Sequence, residues 1–382
     1  MHRAAIVAAF VVVVACTGPA DPSITPTPVP IVTSTPTATP VPTATAAPTP
    51  TQQPGATEQP TDTLTPTDPP ATLAPATVPP ASAYVFEEFD VPAGARPHDV
   101  AAAPDGTVWY TGQRNGTMGR LDPATGSVVE VPLGQGAAPH GVIVGSDGTV
   151  WVTDQGLNAI VSIDPVTLEP TSFPMPDNRR AGPHTAVLDG DGVLWFTGQG
   201  GGVIGRLDPA SGEVALFDAP RGPGPYGIAA TPDGGIWFAS LSGSYLGRVD
   251  KATGDIELLE PPTPGQGARR VWSDSLGRLW VTEWNAGNLA MYDPSSGEWQ
   301  EWPMPAPNSM PYAIYVDEVD LVWITDFGSN ALVRFDPATE SFDSFTIPSA
   351  GAEVRQLLGR EGEVWGAESA NDKLIVLRWP VP

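Results

Sequence analysis

The sequence is poor in cysteine and in positive charge. Its 382 residues hold one Cys, and 18 Lys and Arg stand against 43 Asp and Glu, a formal net charge of −25. One thiol excludes a disulfide framework and any cysteine-cluster metal site. The shortage of bases excludes charge-driven attraction to nucleic-acid phosphates or to an anionic membrane surface. No Gly-rich phosphate loop follows a strand, and no nucleophile-elbow sequence is present. The apolar run Ala4 to Ala15 has twelve residues, whereas a membrane-spanning helix needs about 20.

That short run, behind His2 and Arg3, has the length of a secretory signal core. Val13-Val14-Ala15-Cys16 resembles a bacterial lipobox, so residues 1–15 are expected to be removed and Cys16 acylated. The expected location is extracytoplasmic, lipid-anchored to the bacterial cell membrane, with the anchor as the only membrane contact. Residues 17 to about 83 are mostly Thr, Pro, Ala and Ser, with four acids and no base. Such a composition cannot bury a core, so 16–83 reads as the lipidated cysteine followed by a disordered linker that acts as a stalk.

What is abundant is tryptophan, at a fixed interval. Trp109, Trp151, Trp195, Trp237, Trp280, Trp323 and Trp365 lie 42 to 44 residues apart. That period, with short strands and Asp-Gly and Asp-Pro turns, predicts an all-β, seven-bladed β-propeller of four-stranded blades over 84–382. The last repeat supplies three strands. Tyr84 to Val91 therefore reads as an N-terminal strand closing the last blade, and the seven Trp as core between blades.

Strand alternation places the start of the innermost strand and the end of the second strand on one face, by the central channel. Eleven residues before each Trp stand His98, His140, His184, Tyr226, Arg269, Tyr312 and Val354. Three and four residues after each Trp stand Gly112-Gln113, Asp154-Gln155, Gly198-Gln199, Ser240-Leu241, Glu283-Trp284, Asp326-Phe327 and Glu368-Ser369. Three of the four His thus occupy one register position in three successive blades, the same blades that carry Gln113, Gln155 and Gln199. Convergent polar groups at a channel mouth predict a ligand site for a small molecule or peptide. The alternative is that Pro-His merely starts a strand, although Tyr and Arg stand at the same position. Three neutral imidazoles are also a metal ligand set with an open position.

Pro225-Tyr226-Gly227-Ile228, Asp191-Gly192-Val193-Leu194-Trp195-Phe196-Thr197 and Ile204-Gly205-Arg206-Leu207-Asp208 resemble the repeat of the virginiamycin B lyase (streptogramin lyase) family. The resemblance implies Mg²⁺-assisted elimination that opens cyclic depsipeptide antibiotics. It also implies a substrate-contacting histidine in blade six, where this chain has Tyr312. In blade seven it implies a Glu-Pro-His segment and a later Glu. Here these are Glu353-Val354-Arg355 and Glu368, so both metal carboxylates are kept and both histidines are replaced. An Arg cannot accept a proton near pH 7.

Two readings follow. In the first, the chain is a Mg²⁺-dependent carbon-oxygen lyase with His140 or His98 as the relocated base, Asp154 as an orienter of His140, and Glu353 and Glu368 on the metal. In the second it is a non-catalytic cell-surface propeller, a monomer, binding a glycan, peptide or cell-wall ligand through His184, Gln113, Gln155, Gln199, Tyr226, Arg269, Glu283, Tyr312 and Arg355. The channel ligands of the related metal-dependent lactonase propellers are not recognisable.

Overall fold

A computed structural model describes residues 79–381. The expected cleavage and acylation at Cys16, and nearly all of the expected linker, lie outside them. Seven antiparallel sheets of four strands make up the described chain, with helix confined to two short turns at Ala81–Ala83 and Pro176–Asn178. Among the described residues no helix is long and apolar enough to cross a membrane.

Closure is as the sequence predicts. Val85–Asp90 pairs antiparallel with Lys373–Arg378, from Val85 opposite Arg378 to Asp90 opposite Lys373. Joining the first and last strands of the propeller in one sheet covers the outer edge of Lys373–Arg378. The Tyr84 ring packs on Trp323, Phe345 and Trp379, while Glu88 accepts from Lys373 at 2.7 Å and from the Ser349 N–H at 2.9 Å.

The repeat motif has a packing cause. All seven Trp are buried in the second strand, at its second position in six blades and its third in blade seven. The Gly of the Gly-Arg pair, preceded by Met, Ile or Leu, lies opposite an aromatic residue: Gly119 faces Tyr110, Gly205 faces Phe196 and Gly247 faces Phe238. A Cβ on Gly205 would lie 2.0 Å from the Phe196 ring. Where the second strand carries an aliphatic residue, the glycine is gone: Val152 faces Val161, Val281 faces Ala290 and Ile324 faces Val333. The neighbouring Arg of the motif lies over the Trp, as with Arg120 on Trp109 and Arg248 on Trp237.

Neighbouring blades are tied near the axis by a buried threonine two residues after the Trp. Thr153 Oγ1 accepts from the Gly141 N–H at 2.8 Å and donates to the His184 carbonyl of the next blade at 2.7 Å. Thr111, Thr197 and Thr282 repeat the link to His140, Tyr226 and Tyr312. Thr153→Val should therefore cost about 2 kcal/mol of unfolding free energy in urea denaturation, because it leaves a buried N–H unpaired. An unchanged midpoint would show that the link carries no stability.

Candidate functional site

Each inner strand shifts register just after its first residue, as between Pro97 and Val100 or Pro311 and Ile314. The second residue of each inner strand then converges on the axis. In six blades these residues are those the Trp spacing selects. The seventh differs. Val354 pairs with Glu368 as Pro311 pairs with Asp326, so the residue in register is Arg355. The first hairpin of blade seven is one residue shorter, and counting back from Trp365 overshoots onto a core valine. Val354 is buried in the cluster that contains Tyr312 and Trp323.

The ring is closely packed. Ring centroids are 3.8 Å apart for His98 and His140, 3.9 Å for His140 and His184, and 4.0 Å for His184 and Tyr226. The Tyr226 and Tyr312 hydroxyls share a hydrogen bond of 2.6 Å, and Arg269 Nη2 donates to Tyr226 at 2.7 Å. All five of these His and Tyr residues are buried, while Arg269 and Arg355 are half-buried. The structure thus brings the three imidazoles together, under a covered mouth rather than around an open one.

One residue further along the inner strands, Asp99, Thr185, Arg270 and Gln356 form a polar layer that the sequence reading missed, with Gly141, Gly227 and Ala313 in the other three blades. Asp99 Oδ1 accepts from His98 Nδ1 at 2.8 Å, and Arg270 Nη2 lies 3.4 Å from the same oxygen. Arg270 Nη1 donates to Thr185 Oγ1 at 2.7 Å, and that hydroxyl lies 2.9 Å from His184 Nδ1. His140 Nδ1 donates to the His184 carbonyl at 3.1 Å. A carboxylate and a carbonyl accept from these nitrogens, so Nδ1 carries the proton and Nε2 is unprotonated on His98 and His140. The same layer lines a narrow axial cavity, with about 20 Å³ open to a water centre, space for one molecule.

Burial, together with the positive charge of Arg270, holds all three histidines well below their ordinary range, and Arg269 and Arg355 add to this at His98. They are neutral at pH 7. Burial raises the Asp99 carboxyl, and Arg270 opposes that rise. Among the described residues His98, Asp99 and His140 are the grouped metal-type donors, but Arg270 already stands against Asp99.

The other selected residues divide. Gln113, Gln155 and Gln199 are half-buried on one sector of the rim; Leu241, Trp284 and Phe327 hold the same register, also half-buried, on the other. Glu283 and Glu368 do not reach the rim, since both are fully buried. Burial and Glu301 raise Glu283 to about 8, and Asn288 bonds it at 3.1 Å. Burial raises Glu368 to about 7, with Glu88 adding to the rise and Asn371 opposing it. Asp154 does not orient His140: its Oδ1 accepts from the Ala138 and Leu157 N–H groups and fastens its own turn. Arg355 Nη2 donates to Glu353 Oε2 at 2.6 Å, and its Nε to Ser369 Oγ at 2.5 Å. Glu353 has φ 51°, where blades three to five have Gly182, Gly224 and Gly267, so its backbone takes a conformation unusual for a side-chain-bearing residue.

Comparison with known proteins now has a geometry to attach to. A sequence model described as the virginiamycin B lyase family matches residues 84–376. The chain belongs to the virginiamycin B lyase family. A structure of streptogramin B lyase is 26% identical, covers 78% of this chain and 98% of its own, and superposes with a TM-score of 0.71. A catalytically inactive histidine-to-alanine variant of virginiamycin B lyase from Staphylococcus aureus, with quinupristin, is 25% identical, covers 78% and 100%, and gives 0.72. YCF48 bound to D1 peptide is 16% identical, covers 78% and 97%, and gives 0.63, a likeness of fold. No curated protein matches the sequence. Propellers like this one therefore include proteins that hold small molecules and peptides. Within the family frame, the departure sits at Glu353-Val354-Arg355, where the guanidinium occupies the ring position and takes up the carboxylate beside it.

Proposed function

We propose that this chain is an extracytoplasmic, ligand-binding member of the virginiamycin B lyase family, without the family's elimination chemistry. The observation that carries this reading is the Arg355–Glu353 pair at 2.6 Å. The family's Mg²⁺ does not fit these residues. A magnesium ion requires ionised oxygen ligands converging in near-octahedral geometry. Here one of the two expected carboxylates faces a guanidinium, and the other is a buried acid raised to about 7. The residue in the proton-transfer position is an arginine, which does not take up a proton. Loss of a general base costs on the order of 100- to 10,000-fold in rate.

What the ring does offer is recognition. Fixed hydrogen-bonding groups, the guanidiniums of Arg269 and Arg355, and a rim that is amide on one side and apolar on the other suit a ligand laid across the mouth. The Thr/Pro-rich segment and an acylated Cys16 would hold that mouth outside the membrane, and mass spectrometry of the mature N-terminus tests this. Incubated with virginiamycin B with and without Mg²⁺, the full chain is expected to give no ring-opened product at high loading. Ring opening would overturn the reading.

A second reading rests on a separate observation. His98, neutral and oriented by Asp99 at 2.8 Å, is built as a general base for a relocated lyase. It predicts ring opening that Asp99→Asn abolishes.

A further inference from the structure

Arg269 is the cation of the ring that has no counter-charge. Arg355 is paired with Glu353, and Arg270 with Asp99. Among the described residues Arg269 makes no ion pair, and its one side-chain hydrogen bond goes to the Tyr226 hydroxyl. Its Nε is buried without a partner, although the side chain as a whole is half-exposed. Three aromatic rings enclose it, with Cζ 3.7 Å from the Tyr312 centroid, 4.4 Å from Trp284 and 4.5 Å from Tyr226. Aromatic faces stabilise a guanidinium and fix its plane but do not neutralise it. In a chain of net charge −25, a desolvated and unpaired cation at the mouth of the axial channel is a local exception. Beside it Trp284, Phe327 and Leu241 present half-buried apolar surface, and Trp284 packs edge-on against both Tyr312 and Phe327.

We infer that this sector binds a carboxylate carried next to a large apolar group, as at the C-terminus of a peptide ending in an aromatic or long aliphatic residue. The carboxylate takes the free guanidinium donors of Arg269, and the apolar group lies on Trp284 and Phe327. Charge-assisted bonds from a planar guanidinium in a partly desolvated site favour a carboxylate over a neutral amide. The inference rests on the binding reading above and specifies its ligand.

The test uses the full chain with N-acetylphenylalanine, its carboxamide and phenyl phosphate as probes, followed by Trp fluorescence and calorimetry. The acid is expected to bind at least tenfold more tightly than the amide and no more weakly than phenyl phosphate, and to weaken as NaCl is raised. Arg269→Gln is expected to remove at least tenfold of the affinity for the acid and to abolish the preference for acid over amide. The acid–amide comparison on the unaltered chain stands even where that variant fails to fold. Equal binding of acid and amide, no binding of the acid, tighter binding of the phosphate, or an Arg269→Gln chain that holds the acid as before would each overturn the carboxylate assignment. Binding of amide and acid alike leaves the binding reading intact, whereas ring opening of virginiamycin B removes that reading instead.

Discussion

Arg270→Met is expected to lower the unfolding free energy by about 3–5 kcal/mol at pH 7, read from urea denaturation. Asp99 and Arg270 are almost completely buried and come from blades one and five, 171 residues apart. Removing the guanidinium leaves a carboxylate inside the axial channel with a neutral imidazole as its remaining side-chain partner. The double variant Asp99→Leu/Arg270→Met should recover much of the loss, because an apolar pair of similar bulk carries no desolvation cost. The pH dependence supplies a further check. Burial already raises the Asp99 carboxyl above its unfolded value, and losing Arg270 raises it further. A raised folded value means that the variant's deficit is largest at neutral pH and shrinks as the pH falls and the carboxyl protonates. A single-variant loss below about 1 kcal/mol, unchanged between pH 7 and 5, would show that the pair is not what holds the channel layer together.

That pair also shows where sequence reading stops. Periodicity reports angle around the ring, so Trp109 to Trp365 at 42 to 44 residues was enough for seven blades and for the closure by Tyr84 to Val91. It also brought His98, His140 and His184 to one sector, because equivalent positions in successive blades are neighbours. Depth along the axis and pairing across it leave no such trace. Asp99 and Arg270 each follow a ring residue by one position, but nothing local says that they meet. Glu283 and Glu368 share a buried register with Gly112 and Gly198, and what the outer strand adds to the rise of their carboxyls, Glu301 in one blade and Glu88 in the other, has no local signature. At Arg355 a single-residue change in hairpin length shifted the count by one. The Thr two residues after five of the seven Trp was visible as part of the repeat, but its role as a bond between blades needed the geometry.

Glu283→Gln should flatten the alkaline limb of the stability profile by about 3 kcal/mol between pH 5.5 and 8.5. The folded carboxyl titrates at about 8, against an ordinary value of 4.5, because burial and Glu301 both resist its ionisation. Glu368, at about 7 beside Glu88, behaves in the same way. A folded value above the unfolded one means that the native chain keeps a proton the unfolded chain has lost. These two acids therefore stabilise fully below about pH 4.5, and that contribution drains away as the pH rises through 7 and 8. The three histidines act in the opposite direction. Their folded values lie well below 6.5, so they withdraw stability as the pH falls beneath 6.5 and the unfolded chain takes up protons. Asp317, raised by burial to about 6, offsets one of them in the acid range. Below pH 6.5 these slopes oppose one another, and above it the two glutamates lead the fall. Gln at 283 has the shape of the protonated acid and nothing to ionise, so it should match the native chain at pH 5.5 and exceed it at pH 8.5. Equal losses for the two proteins over that interval would mean that Glu283 ionises with little cost and that its environment is wetter than its burial implies.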